Sequence, residues 1–537
     1  MSTTPTQPLP AAGPQSITLS DESTAIPKGA WLALTAALLG WMFDGLEMGL
    51  FPLVARPALA DLLGESGKDA VGLWIGIMHA VFLVGAATGG VVFGWLGDRL
   101  GRVRAMTLSV LTYALFMGFC GVASSVEQLF FFRFVSSLGM GGEWSLGVAL
   151  VMEIWPNRSR ALMAGLIGAA SNVGFLSIGI VGLALGKVIH LMHGWLSSTG
   201  LPESWVSYLV IDSYNEPTGW RLLMIFGAAP ALLTFFIRIM VHESERWLHA
   251  KEQGATQHWA VRDMLGVVIG SVGPLAMIYL WANDFSMLVR IVGSGAGLAL
   301  AIGGYTYPVL RYLQRVEGEK KHADPAHAWG PTIRRMLLGA CLSGVALIGT
   351  WASVQNAPSW ADKLVDGAMA ESSTEARAAA RNEARSYTQI SLAIGAIIGT
   401  VLAALMGDWL GRRVTYVLLC LGSLASVLAF FQLNVAFGIP FLVMALLAGA
   451  ITASFYGWLP LYLPELFRTT VRATGQGFSF NFGRILAAVA ALQTGYLMSE
   501  VFQNDFPTAC SIMSLVYLVG VGIIWLSPET KGKPLPE

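Results

Sequence analysis

The chain has 537 residues, of which 55% are hydrophobic and only 12% charged, and its 33 basic and 33 acidic residues cancel. Soluble domains carry roughly 25% charged residues, so a mean hydropathy of +0.61 excludes an ordinary soluble enzyme or a nucleic-acid binder held by net charge. It leaves an integral membrane protein. The four cysteines (Cys120, Cys341, Cys420, Cys510) stand singly in apolar runs without metal or disulfide spacing, and read as small packing residues.

Residues 1–30 are polar and rich in Pro, Thr and Ser. They lack the basic start, short apolar core and cleavage site of a signal peptide, and are expected to be a disordered cytoplasmic tail. A crossing needs about 20 mainly apolar residues. Runs at 31–54, 71–95, 104–123, 127–152, 160–186 and 219–241 predict a six-helix unit over 31–241. Runs at 335–356, 388–407, 414–432, 438–463, 474–498 and 506–527 predict a second over 335–527, followed by a tail at 528–537. Between them, 242–334 reads as a cytoplasmic linker with a membrane hairpin inserted at 263–310, its tip near Asp284. The expected fold is all-α, with fourteen spans.

Basic residues concentrate on one side of this map, from Lys28 through Arg99, Arg158, Arg262, Lys320, Lys321, Arg334 and Arg468 to Lys533. By the positive-inside rule that side, with both termini, is cytoplasmic. Two outer loops are long. Residues 187–218 hold Trp195 and Trp205, and 357–387 hold an Ala/Glu/Arg-rich stretch from Glu371 to Arg385. The latter predicts a surface helix held by i,i+4 charge pairs, and both loops read as structural caps.

Short polar motifs punctuate the inner ends of the spans. Gly94-Trp95-Leu96-Gly97-Asp98-Arg99-Leu100-Gly101-Arg102 follows the second, and Gly407-Asp408-Trp409-Leu410-Gly411-Arg412-Arg413 repeats it in the second unit. Two copies indicate a duplicated helix bundle. The aspartates can accept hydrogen bonds at a neighbouring helix N-terminus while the arginines meet carboxylates. Glu153 precedes Arg160 by seven residues after the fourth span, as Glu465 precedes Arg472 after the tenth. Glu243-Ser244-Glu245-Arg246-Trp247-Leu248 follows the sixth span, and Pro528-Glu529-Thr530-Lys531-Gly532 the twelfth.

The Gly-x-Leu-x-Asp-Arg-x-Gly-Arg loop resembles the signature of the major facilitator superfamily of secondary transporters. The resemblance implies two six-helix bundles, alternating access by a monomeric unit, and a gate at the inner rim. Asp98, Arg102, Asp408, Arg412, Glu153, Arg160, Glu465, Arg472, Glu243, Arg246 and Glu529 are its expected members. The motifs after the sixth and twelfth spans resemble those of sugar porters, with His242 where a Pro is usual. Asp44-Gly45-Leu46-Glu47, Gly141-Gly142-Glu143-Trp144, Glu153-Ile154-Trp155-Pro156 and the central hairpin resemble instead the sialate:proton and organic-acid:proton symporters.

Ionisable residues inside spans are costly and mark function. Asp44 and Glu47 share a face of the first helix, and Arg133 and Glu143 lie on the fourth. Counting 1.5 Å per residue puts Glu47 and Arg133 both ~10 Å below the outer surface, level enough to pair. With Glu143 deeper, these four form a candidate proton-coupling set. Arg484 on the eleventh helix has no acid at its depth in the second unit, so a first-unit carboxylate or an anionic substrate must supply its partner. Asn481, Gln476, Tyr456, Trp458, Trp351, Gln355 and Asn172 are candidate substrate groups around it. His79 is a candidate proton carrier by its ordinary pKa.

These readings converge on a proton-coupled symporter for a small organic anion, a monocarboxylate or an acidic sugar such as sialic acid, in the plasma membrane. A neutral-sugar porter is the alternative, and a membrane sensor in a transporter fold a third reading, weakened by the short polar tails. No nucleophile–base pairing, metal-ligand spacing or phosphate-binding loop suggests an enzyme. The expected partners are the substrate, protons and the bilayer, with no nucleic acid, cofactor or metal.

Overall fold

The structure, a computed structural model, describes residues 29–213, 216–229, 233, 237, 240–319, 329–496, 501–503 and 505–536. The tail expected over 1–30 lies outside them but for its last two residues. So do Lys28, Lys320, Lys321 and parts of the spans expected at 219–241 and 474–498.

Within a bilayer the backbone must satisfy its own hydrogen bonds, so apolar runs of this length become helices. The first five are α1 (Ala30–Leu63), α2 (Val71–Leu100), α3 (Arg102–Cys120), α4 (Val126–Ile154) and α5 (Asn157–Leu183). The short α6 (Leu185–Ser198) and α7 (Glu203–Leu209) follow, then the strands β1 (Ile211–Ser213) and β2 (Glu216–Thr218), α8 (Trp220–Phe226) and α9 (Glu245–Glu252). Next are α10 (Met264–Ala282) and α11 (Met287–Glu319), then α12 (Trp329–Trp351), α13 (Ala357–Ala368) and α14 (Thr374–Leu410). The chain closes with α15 (Arg412–Leu433), α16 (Ile439–Thr452), α17 (Phe455–Tyr462), α18 (Arg472–Tyr496), α19 (Phe506–Ser514) and α20 (Val516–Ile523).

Among the described residues, twelve helices are long and apolar enough to cross a membrane, where the sequence predicts fourteen. The twelve include Val261–Ala282 and Met287–Glu317, and leave out the two runs described only in part. The antiparallel ladder of β1 and β2, which pairs Ile211 with Thr218, departs from an all-α expectation.

Two more expectations are corrected. The charged stretch at 371–385 is not a separate surface helix, because α14 runs through it into the span. Its arginines also pair away from their own helix. Arg381 Nε donates to Asp362 at 2.6 Å, Arg385 binds the same carboxylate, and Arg377 pairs with Asp366 at 2.7 Å. Both acids lie on α13, so the cap is a two-helix bracket. The 187–218 loop likewise folds into α6, α7 and the ladder.

Helices from the two sides of the chain meet along two seams, α2 against α18 and α5 against α14. Both depend on small residues. A Cβ on Gly90 would lie 2.7 Å from the Gly477 carbonyl oxygen, and one on Gly165 would lie 2.8 Å from Val401 Cα. The motif loops of α2–α3 and α14–α15 share one end of the bundle, here called the loop face.

Candidate functional site

A cavity of about 110 Å3 lies between the seams. Its walls come from α1 (Trp41, Asp44, Met48), α4 (Trp144), α5 (Asn172, Phe175), α12 (Thr350, Trp351), α14 (Gln389), α16 (Thr452) and α18 (Phe480, Arg484), with Gln355 and Tyr456 from the connecting turns and α17. Asp44 and Arg484 are the charged residues among its lining, one from each side of the chain. Arg484 makes no ion pair within 4.0 Å among the described residues, and its buried Nη1 has no hydrogen-bond partner. Its guanidinium lies 5.4 Å from the Phe480 ring, and that ring stacks on Trp144 at 3.7 Å and 9° across the α4–α18 contact.

The other ionisable groups of the first unit sit close behind this wall. Glu143 lies within hydrogen-bonding reach of Asp44. Glu47 Oε1 is 3.7 Å from Arg133 Nη1, and that guanidinium also lies 3.5 Å from the Phe51 ring. Neither Glu47 oxygen has a hydrogen bond. His79 is committed to the Ile75 carbonyl at 2.9 Å.

Of Arg484 and the seven expected groups around it, Arg484, Tyr456, Trp351, Gln355 and Asn172 line the cavity. Gln476 and Asn481 do not. Gln476 Nε2 donates to the Ser145 carbonyl and Asn481 Nδ2 to the Gly141 carbonyl at 3.0 Å, so both tie α18 to α4. Trp458 is buried and donates to the Arg412 carbonyl at 3.1 Å. Trp41 and Gln389 escaped the sequence reading. Trp41 stands three residues before Asp44, which places both on one helix face, and that spacing was a usable signal.

The loop face is closed by charges that interlock across the molecule. Asp98 accepts from the backbone N–H of Ala473 at 3.2 Å and of Thr474 at 2.8 Å, and from Thr474 Oγ1 at 2.6 Å. It thus caps the first turn of α18, where the helix dipole favours an anion. Arg102 Nη1 donates to Asp98 at 2.8 Å, while Nη2 donates to the Thr469 carbonyl at 2.7 Å and to Glu153 at 3.0 Å. Glu153 also accepts from Arg472 Nη1 at 2.8 Å. The first acid of the two motifs spaced seven apart therefore pairs across the molecule. Glu153 meets Arg472, and Glu465 lies near Arg160, whose Nε donates to the Met152 carbonyl at 3.0 Å.

In the second copy, Arg412 Nη2 donates to Glu465 at 2.6 Å, but Asp408 is 3.5 Å away with its side chain 54% exposed. Arg246 lies near Arg472 at the same rim. Glu243 and Glu529 play matching parts. Glu243 accepts from the N–H of Arg102 at 2.9 Å and of Val103 at 3.1 Å, and Glu529 from those of Arg412 and Arg413, each at 3.0 Å. Each caps a helix that begins after a glycine at positive φ, Gly101 at 112° and Gly411 at 96°, where a side chain would strain the turn. Burial pushes the Glu243 carboxyl above the usual carboxylate range, although the N–H groups it accepts oppose this. Burial acts on Glu529 in the same sense, but the N–H groups of Arg413, Arg412, Lys531 and Thr530 outweigh it and hold that carboxyl below the range.

A cavity between two helix groups, closed at one face by a buried ion-pair network that spans them, is the arrangement of a membrane transporter for small molecules. The family model for the Major Facilitator Superfamily matches residues 31–365, more than half of the chain, and the chain belongs to that superfamily. It is 24% identical over 518 residues to the niacin transporter NiaP of Acinetobacter baylyi, covering 96% of this chain and 97% of that one. With the cis,cis-muconate transport protein of the same organism it shares 23% over 483 residues, covering 89% and 91%. Among solved structures, the Escherichia coli proton:xylose symporter XylE bound to 6-bromo-6-deoxy-D-glucose superposes with a TM-score of 0.60 at 18% identity. That match covers 94% of this chain and 97% of the other, and at such identity it speaks for the fold alone.

Proposed function

We propose that the chain is a proton-coupled symporter of a small organic anion, a monocarboxylate or an acidic sugar. It works as a monomer by alternating access in the plasma membrane, with both termini cytoplasmic. The observation that supports this reading is Arg484, a buried guanidinium in the cavity wall near Asp44 that, among the described residues, has an unpartnered Nη1 and no ion pair within 4.0 Å. Such a charge is costly when left uncompensated, and a substrate carboxylate answers it with charge-assisted hydrogen bonds. Niacin and muconate, the solutes in the names of the two relatives, are carboxylic acids.

Coupling rests on the acids opposite. Two carboxyl groups within hydrogen-bonding reach, as Asp44 and Glu143 are, form that bond only when one carries a proton. Glu47 and Arg133 stand behind them as a loosely paired reserve. Proton and anion then cross together, without net charge. The ion-pair network at the loop face forms the inner gate, closed in this state. In this reading 31–241 and 335–527 are the two halves, and α10 and α11 are an inserted hairpin that brings the spans to fourteen.

The amide groups of Asn172, Gln355 and Gln389 beside Trp351 favour a second reading, a neutral-sugar porter. Uptake into proteoliposomes from a panel of nicotinate, muconate, lactate, sialic acid and hexoses separates the two. A carboxylate is expected to accumulate with an inward proton gradient, and Arg484→Ala to lose its binding. Normal binding and transport by Arg484→Ala would replace the anion reading with the sugar reading.

A further inference from the structure

The pair α10 and α11 is built as one stiff body. Its helices run antiparallel with glycines at the crossing. A Cβ on Gly270 would lie 3.0 Å from Gly304 Cα, and one on Gly297 would lie 2.8 Å from the Gly273 carbonyl oxygen. Backbones this close leave little freedom to slide. At the tip, Trp281 Nε1 donates to Ser294 Oγ at 2.8 Å. At the base, Arg315 Nη2 binds the buried Asp263 at 2.6 Å and its Nη1 donates to the His258 carbonyl at 2.6 Å. Tyr312 stacks there on Trp259 at 4.3 Å and 19°.

This body lies over the α2–α18 seam and touches both of its sides. Tyr305 of α11 is completely buried. Its hydroxyl is 2.6 Å from Thr88 Oγ1 on α2. Thr88 already donates to the Val84 carbonyl at 2.9 Å, so the Tyr305 hydroxyl is the donor in this bond. The Tyr305 ring meets Phe482 of α18 edge-on, with centroids 6.3 Å apart at 89°. Closer to the loop face, the Tyr312 hydroxyl donates to the Ala255 carbonyl at 3.2 Å and lies near Thr470, beside the residues that Asp98 and Arg102 hold. From α10, Ile278 packs into one cluster with Leu83 and Val84 of α2 and Ala487 of α18.

We propose that α10 and α11 form a strap across the α2–α18 seam that favours the closed loop face, with the Tyr305–Thr88 bond as its catch. This rests on the alternating-access reading above. When the loop face opens, α2 and α18 part, and a stiff body bound to both must release one of them. The Tyr305 hydroxyl then loses its acceptor inside a desolvated slot, while its ring remains on Phe482. The strap thereby sets how often the gate opens without touching the cavity.

The test uses the full-length protein in nanodiscs, with spin labels on cysteines at Arg104 and Arg334, one on each side of the seam. Distance distributions give the ratio of open to closed molecules, without substrate or gradient. Tyr305→Phe and Thr88→Val are each expected to raise the open fraction roughly two- to tenfold, the worth of one hydrogen bond. The double variant should go no further than either single, because both remove the same bond. Two interconverting distances whose ratio ignores both variants, or single effects that simply add, would overturn the strap alone. One distance that neither pH nor any variant moves would sink alternating access and the strap with it. Should Tyr305→Phe fold poorly, Thr88→Val on the opposite partner carries the same test.

Discussion

Glu153→Gln isolates the energy of the proposed gate. The carboxylate bridges Arg102 and Arg472, and all three side chains are 0% exposed. Glutamine keeps the volume and one acceptor oxygen but removes the charge, leaving two buried guanidiniums around a neutral group. Losing one partner of a buried ion pair costs about 3–5 kcal/mol. The lower end applies here, because Arg102 keeps Asp98 and Arg472 keeps the Pro536 carbonyl at 2.6 Å. The cost falls on the closed state, since an open rim lets water reach both arginines. A loss of ~3 kcal/mol converts to a roughly 100-fold shift toward the open loop face. The readout is alkylation, from the loop side, of a cysteine placed at Ser145, which is buried between α4 and α18. Cys341, the exposed cysteine of the four, is replaced first. The labelling rate should rise about 100-fold while equilibrium substrate affinity changes severalfold at most. A rate within twofold of the parent would refute the reasoning.

Two other outcomes follow from the same geometry. Asp44→Asn and Glu143→Gln should each abolish accumulation driven by a proton gradient yet spare exchange of labelled for unlabelled substrate; gradient-driven accumulation by either variant at the parent level would remove that residue from the coupling set. A single cysteine at Asp284, whose side chain is fully exposed at the tip between α10 and α11, should react only with reagent on the side opposite the loop face, and reaction from the loop side would overturn the fourteen-span map.

Much of the frame was legible because lipid imposes simple rules. Apolar runs of the right length predicted the described spans, and the duplicated loops gave the pseudo-repeat. The expected pairing of Glu47 with Arg133 also appears, since the two stand 3.7 Å apart. What sequence spacing could not give was the partner of each charge. Glu153 and Arg160 look like a pair along the chain, but a helix end and a turn separate them, and Glu153 finds Arg472 across the seam instead. Gln476 and Asn481 are candidate substrate groups by sequence because they are polar residues on the helix that carries Arg484. Their partners are carbonyls of α4 at Ser145 and Gly141, and Gly477 of α18, where an added Cβ would lie 3.1 Å from Ser145 Cβ, lets the two helices come close. That approach is a property of two helices, and neither segment alone encodes it.

The duplicated loops show the same limit most clearly. Both copies place an acid, a bulky pair, a glycine at positive φ and an arginine in one order, and both receive a distant glutamate at the helix that follows. Their aspartates nevertheless differ. Asp98 is 1% exposed because three donors from the start of α18 meet it. The Trp247 ring also closes over its backbone, donating to the Asp98 carbonyl at 3.0 Å. Asp408, four residues before an equivalent arginine, keeps only a 3.5 Å ion pair with it while Glu465 takes the hydrogen bond, and its side chain is half exposed. A carboxylate in water contributes little to a latch, because an exposed pair is worth ~0–1 kcal/mol. Burial against α18, which local sequence does not record, therefore locks one aspartate into contacts across the seam and leaves the other a surface charge.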